Sequence, residues 1–204
     1  MENTDLVYRF FLPIYITLYM LVLYLINIKA FKKKYKIDPR AVTKNDKLMY
    51  ILERYRDLIF IFVGLSISIY SFFPSLYFLL VPINYLNIEI IRVAGVFILI
   101  GSMILTRASQ VQLKGAWRIG IDRTNIKTEL ITTGIYSKSR NPIALSMLLS
   151  ALGLFFVTPN MITFTIIAVV YVIFSIRILL EEEHLYKLHG EAYESYRKKT
   201  RRWI

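Results

Sequence analysis

Arg177 and Glu181 lie four residues apart at the end of a long apolar run. On a helix that spacing puts both on one face, where they can pair. An arginine–carboxylate couple orients an anionic or polar substrate group, and the glutamate can also receive a proton. These two residues are the catalytic candidates. Two other clusters carry comparable chemistry: Gly115 to Asp122, reading GAWRIGID, and Gly134 to Pro142, reading GIYSKSRNP. Ionisable side chains held so close to membrane-grade segments are costly, which is a reason to expect that they act. We expect the three clusters to converge at one membrane face. No GxGxxG follows a strand-like run, so a nucleotide-like ligand has to sit in a pocket between helices.

Apolar helices must do the positioning. Of the 204 residues 56% are hydrophobic, and several runs approach the ~20 residues that cross a bilayer. The fold class is therefore all-α, a polytopic helical membrane protein with about five transmembrane helices. The pattern predicts spans over residues 6–28, 58–81 (kinked at Pro74), 88–113, 142–157 and 161–180. The fourth and fifth form a helical hairpin through Thr158-Pro159-Asn160, and a cytoplasmic C-terminal amphipathic helix follows. Before the second span, Thr43 and Asp46 read as a capping pair for an interfacial helix with Leu48, Ile51, Leu52 and Tyr55 on one face. Gly95, Ser102, Thr106 and Ser109 on the third span, and Ser146, Ser150 and Gly153 on the fourth, are small-residue faces suited to close helix contact. The fourth helix, from Pro142 to Val157, covers only about 24 Å against a core of ~30 Å. The loop before it is thus expected to enter a polar cavity. Leu185, Leu188, Ala192, Tyr193 and Tyr196 are expected to pack the tail against the helices. By organisation the chain divides into residues 1–113, a three-span region with a basic segment at 29–56, and residues 114–204, which hold the clusters.

Charge fixes the expected orientation. The net charge is +12, and 24 of the 26 Lys and Arg fall within 29–56, 107–140 and 177–202, leaving Arg9 and Arg92 apart. That is the positive-inside pattern, with anionic lipid headgroups rather than nucleic acid as counter-charge. It places the N-terminus outside and the C-terminus in the cytoplasm. With no targeting extension, a prokaryotic inner membrane is the expected location. The absence of cysteine excludes a disulfide framework and a thiolate metal site. His184 and His189, five apart, miss the same-face spacing of a helical metal pair, so no metal is expected.

At these clusters the chain resembles the isoprenylcysteine carboxyl methyltransferase-type family of small integral-membrane methyltransferases, which is related to the phospholipid methyltransferases. The family pattern of Arg-His-Pro or Arg-Asn-Pro, a hydrophobic stretch, Glu-Glu and Gly-x-x-Tyr-x-x-Tyr is matched by Arg140-Asn141-Pro142, the hairpin, Glu181-Glu182, and Gly190, Tyr193 and Tyr196. Trp117 to Asp122 matches an upstream stretch of bacterial members, and Arg202-Trp203 their basic-aromatic ending. The resemblance covers about 90 residues. It implies methyl transfer from S-adenosylmethionine to a lipophilic small molecule or lipid entering from the bilayer, with no obligate protein partner. It implies a cofactor held by Tyr136, Arg140, Asn141, Pro142, Glu182, Gly190 and Tyr193, with Trp117 and Arg118 lining a lid. Arg177 and Glu181 match the family's paired residues at the substrate end. Asn141 stands where better-known members have histidine, so no proton relay is available there. Ala144 and Ser146 stand where tyrosine and glycine are common.

Two other functions fit part of this pattern. An NADPH-dependent membrane reductase has a similar helical architecture. A non-enzymatic scaffold on a degenerate methyltransferase frame accords with Ala144 and Ser146. Blander readings exist for single motifs too: Asn141-Pro142 as a helix start, Glu181 to Glu183 as a solvated charge run, and Arg177 as a snorkelling side chain.

Overall fold

A computed structural model describes residues 3–36, 38–40, 47–120 and 129–204. The expected cap at Thr43 and Asp46, and Ile121 and Asp122 of the GAWRIGID stretch, lie outside the described residues. The first helix begins as α1 (Asn3–Leu18), passes through a π-helical stretch (Tyr19–Ile26) and continues as α2 (Asn27–Tyr35). Then come α3 (Lys47–Phe72), α4 (Glu89–Gln112), α5 (Pro142–Val157), α6 (Met161–His189) and α7 (Glu191–Lys199). Among the described residues four helical stretches are long and apolar enough to cross a membrane: Asp5–Tyr35, Lys47–Phe72, Glu89–Gln112 and Met161–His189. The fifth apolar helix, α5, has the 16 residues expected of it.

Three boundaries differ from the sequence reading, each for a physical reason. α3 does not kink at Pro74 but stops at Phe72, and Pro74–Leu80 forms a 3-10 helix. Proline lacks the N–H for the next helical bond and drives the preceding residue out of the helical region. The chain before the expected second span is not a separate interfacial helix, because α3 runs unbroken from Lys47. The face expected to meet the membrane interface is mostly outward, with Leu52 as the exception. Leu48, Ile51 and Tyr55 are exposed, while Met49, Leu52 and Glu53 are buried. In lipid the most apolar face has no reason to turn inward, so hydrophobicity does not mark the core side. Finally, α6 continues past Leu180 to His189, so Glu181 and Glu182 sit within a helix rather than at its exit. Gly190 breaks it at φ +55, in the left-handed region that glycine tolerates.

Packing centres on α4 and α5. Gly95, Ser102, Thr106 and Ser109 are buried, as their spacing predicts. A methyl group on Gly95 would stand 2.8 Å from Phe156 Cβ, and one on Gly153 would stand 2.9 Å from Leu99 Cγ. The backbones therefore approach as closely as glycine allows. Hydroxyls stitch the same seam: Ser102 Oγ lies 2.8 Å from Ser150 Oγ, and Thr106 Oγ1 lies 2.7 Å from Ser146 Oγ. Tyr8, Leu12, Tyr15, Tyr19 and Leu23 form a buried stripe that adds the first helix to this core. The hairpin turn is closed by a capping box, with Asn160 Oδ1 accepting from Thr163 N at 2.9 Å. Of the expected tail contacts, Tyr193 and Tyr196 are buried, but Ala192 is exposed.

Candidate functional site

A cavity of about 230 Å³ opens at one end of the bundle. The late part of the first helix (Tyr19, Leu23), the start of α3 (Arg56), the end of α4 (Thr106, Gln110), the start of α5 and the end of α6 all reach it. The chain thus crosses back and forth, with alternate helix ends meeting at the basic segments. The π-helical stretch carries Tyr19 and Leu23, a distortion often found at functional sites.

Eight of the sequence candidates line this cavity: Arg177 and Glu181, then Trp117, Arg118, Tyr136, Arg140, Asn141 and Pro142. Glu182, Gly190 and Tyr193 do not. From Arg177 onward the α6 residues that line it, Arg177, Ile178, Glu181, His184, Leu185 and Leu188, make one face of the helix, and at about 100° per residue Glu182 falls just beyond its edge. Glu182 instead takes Arg140 (Nη2 to Oε1, 2.7 Å) and Arg202 (Nη2 to Oε2, 2.7 Å). The carboxylate holds the Arg202 guanidinium above its already high ordinary pKa. Arg140 is consumed by architecture: its Nη1 donates to the Arg197 carbonyl at 3.0 Å, and its backbone N–H to the Arg201 carbonyl at 3.0 Å. The Arg140-Asn141-Pro142 segment is thereby tied to the C-terminal tail, and Trp203 stacks on Tyr171 to finish the join. Gly190 supplies the turn that sends α7 back, and Tyr193 is buried in the resulting contact.

Asn141 does not cap α5 with its side chain. Its Nδ2 donates to the Arg202 carbonyl at 3.3 Å, and its amide oxygen keeps no partner among the described residues. Pro142 occupies the first turn of α5, where its missing N–H costs nothing. Upstream, Gly134 has φ +60, and a methyl group there would fall 1.8 Å from Gln112 Nε2. Gln112 grips this loop at two points, donating to the Thr133 carbonyl (2.8 Å) and accepting from Ile135 N (3.0 Å). The next turn delivers Tyr136 to the cavity. Burial pushes the Tyr136 phenol well above its ordinary range, with the Glu181 charge and then Tyr196 adding to the rise, so it stays a neutral donor. The Tyr196 hydroxyl donates to the Tyr136 carbonyl at 2.6 Å.

The expected Arg177–Glu181 pair does not form. Arg177 Nη1 donates to Glu53 Oε1 at 2.8 Å, and Arg56 of α3 bonds the other Glu53 oxygen. Glu181 makes no direct ion pair among the described residues. Four-residue spacing permits a pair, but a buried carboxylate between two guanidiniums gives the stronger one. Sequence reasoning missed Glu53 and Arg56. A signal existed: Glu53 follows Met49 by four positions and precedes Arg56 by three, an acid and a base on one face of a helix. Over the cavity, Ile119 N donates to the Pro39 carbonyl at 2.7 Å, and Trp117 packs edge-on against Phe31 at 5.4 Å between ring centres. These contacts fasten a cover whose underside is Trp117 and Arg118.

A second, apolar hollow of about 80 Å³ adjoins the first and shares Tyr19, Arg56, Phe60, Met147 and Phe174 with it. It runs between the first helix, α3, α5 and α6. The two together offer a charged chamber with an oily extension, with Arg56 on the boundary.

A family model described as phospholipid methyltransferase matches residues 90–192. The match contains α4, α5, α6 and the Gly190 turn. No curated protein matches the chain.

Proposed function

The chain belongs to the phospholipid methyltransferase family, and from that premise we propose that this integral-membrane methyltransferase moves a methyl group from S-adenosylmethionine to a lipophilic acceptor in the cavity at the basic end of the bundle. The observation that carries the proposal is the cavity itself: residues from both clusters and from α6 meet there, next to an apolar extension.

The residues present fit such a cofactor. Glu181 is a carboxylate without a direct ion pair, suited to a cation. Asn141 has an open acceptor, and Tyr136 and Trp117 bring aromatic surface. When bound, S-adenosylmethionine supplies the methyl group as a sulfonium electrophile. Pro142 and Asn141 shape the floor. Glu182, Gly190 and Tyr193 act indirectly, by fixing Arg140 and the tail behind that floor. Arg177 and Arg56 hold the polar end of the acceptor, and Glu53 keeps both in place. The apolar hollow takes the acceptor's tail. Glu181 receives the proton the acceptor releases. The cover of Trp117 and Arg118 excludes water, so that alignment, worth roughly 7–11 kcal/mol of barrier, does most of the catalysis. This topology accords with five crossings, the N-terminus outside and the basic end cytoplasmic. Family membership favours methyl transfer over the reductase reading.

Isothermal titration of the detergent-purified protein with S-adenosylhomocysteine tests the proposal, together with transfer of a labelled methyl group to a total lipid extract. Saturable heat and a labelled, organic-extractable product are expected. Absence of both would overturn the reading.

A further inference from the structure

At the far end of the bundle lies a separate cavity of about 340 Å³. It is formed by the helix ends that the first cavity does not use: the start of the first helix (Asp5, Arg9), the end of α3 (Tyr70), the start of α4 (Arg92) and the turn after α5 (Pro159). From Arg92 to Gln110 along α4 is about 27 Å at 1.5 Å per residue, close to the ~30 Å of a hydrocarbon core. The two cavities therefore occupy opposite membrane interfaces.

The charges there do not balance. Arg9 and Arg92 are the two Lys or Arg outside the basic segments, and both line this cavity. Asp5 is the one carboxylate among its described lining residues and serves both: Arg9 Nε reaches its Oδ2 at 2.9 Å, and Arg92 Nη2 reaches its Oδ1 at 2.9 Å. Tyr70 donates to the same Oδ1 at 2.9 Å. Glu89 accepts from Tyr8 at 2.7 Å and does not line the cavity. Among the described lining residues one positive charge is left over.

Donors are left over as well. Arg92 is 6% exposed, and its Nε has no hydrogen-bond partner. Its guanidinium carbon sits 4.0 Å above the Tyr8 ring, so packing holds the group in place. That Nε is closed off, and Nη2 is taken by Asp5 and Tyr70. Nη1 bonds to no described residue, so a bound oxyanion would give the guanidinium an acceptor that the pocket lacks. Asn84 and Asn87 line the mouth with side-chain amides that bond to no described residue. Close in the chain to its lining residues Tyr77, Asn84 and Arg92 stand exposed apolar side chains, among them Phe78 (66%), Tyr85 (79%) and Ile90 (76%). A charged pocket with an oily rim suits an amphiphile's head rather than a soluble metabolite.

We propose that this cavity is a second ligand site, which takes a singly charged phosphate group in the leaflet opposite the basic segments, as carried by an anionic phospholipid headgroup. The inference is independent of methyl transfer. It gives Arg9 and Arg92 a role as readers of lipid charge.

Nanodiscs of phosphatidylcholine doped with phosphatidylglycerol provide the test, with retained lipid counted by native mass spectrometry. A parallel arm follows thermal unfolding in detergent with millimolar inorganic phosphate. The wild-type chain should retain one phosphatidylglycerol tightly. Arg9→Gln and Asn87→Asp should each weaken that retention at least tenfold, whereas Lys198→Gln, at the basic end, should leave it unchanged. Asn87→Asp keeps every contact of Arg9 and Arg92, so it remains informative if Arg9→Gln misfolds. A stabilisation by phosphate that both cavity variants abolish, without lipid retention, assigns the site to the free ion. Retention equal in the wild type and both cavity variants, or lost only in Lys198→Gln, overturns the proposal.

Discussion

Glu53 and Glu181 are both acids beside Arg177, yet their removal should have opposite consequences. Glu53 is buried between Arg56 and Arg177. Glu53→Gln strands Arg177 and leaves Arg56 only its pair with Asp57. Breaking such a buried pair costs about 3–5 kcal/mol, so the melting temperature of the purified chain should fall steeply. Glu181 has no direct partner to strand. Glu181→Gln should leave the melting temperature within about a degree or two while cutting methyl transfer about 10²-fold or more, as expected for loss of a general base. Equal destabilisation by both would show that Glu181 is structural. The sequence revealed Arg177 and Glu181 as candidates because spacing is local information. It hid the true partner of Arg177, which lies 124 positions away, because a long-range ion pair leaves no periodic trace. A pH effect also belongs at this scale. Burial holds the Tyr196 phenol up to about 12, against an ordinary value near 10, with Arg140 pulling it down. The folded chain grips that proton more tightly than the unfolded chain does. The resulting stability is therefore full below about pH 10 and is lost as pH rises through about 12. The melting temperature should decline over that window, and Tyr196→Phe should flatten the decline.

At the level of elements, the α4–α5 seam is the part of the fold that spacing described best. Small residues recurring at helical intervals serve close backbone approach in a membrane, and both predicted faces are buried there save Ser150, which is half-buried. Gly153→Val would drive its added carbons into Leu99 and the Gly95 carbonyl. Such overpacking costs about 1–3 kcal/mol, read as a lower melting temperature. Gly134→Ala meets both a left-handed backbone and the Gln112 amide. It should loosen the loop carrying Tyr136, and weaken S-adenosylhomocysteine binding more than it lowers stability. What differed at this scale was the start of α3, which runs unbroken from Lys47 instead of following a separate interfacial helix. Lipid rewards Leu48 and Ile51 for pointing outward and leaves Met49, Leu52 and Glu53 to face the protein. The break at Pro74 was legible as a disturbance, but whether a proline kinks or ends a helix depends on what the next segment packs against.

Across the whole molecule, the distribution of charge and the alternation of helix ends make the same statement. The cavity holding Arg140, Arg177 and Glu181 and the one holding Arg9 and Arg92 are fashioned from opposite ends of one bundle. A chain without cysteine makes that statement directly measurable. Lys138, Lys198 and Asn84 are exposed, the first two at the basic end and the third at the mouth of the far cavity. Single Lys138→Cys and Lys198→Cys variants should react with a membrane-impermeant maleimide only in inside-out vesicles. Asn84→Cys should react only from the other side. If α5 failed to cross, α6 and everything after it would change sides relative to α4. Lys198 and Lys138 would then label from opposite faces, and Arg140 could not reach Glu182 across the 42 positions between them. The Arg140–Glu182 pair therefore requires the 16-residue helix and the 29-residue helix to return the chain to the side from which it entered. The first turn of α5 stands at the cavity, where Asn141 and Pro142 line it, and a helix that starts from a water-filled hollow needs fewer residues to reach the far turn at Asn160.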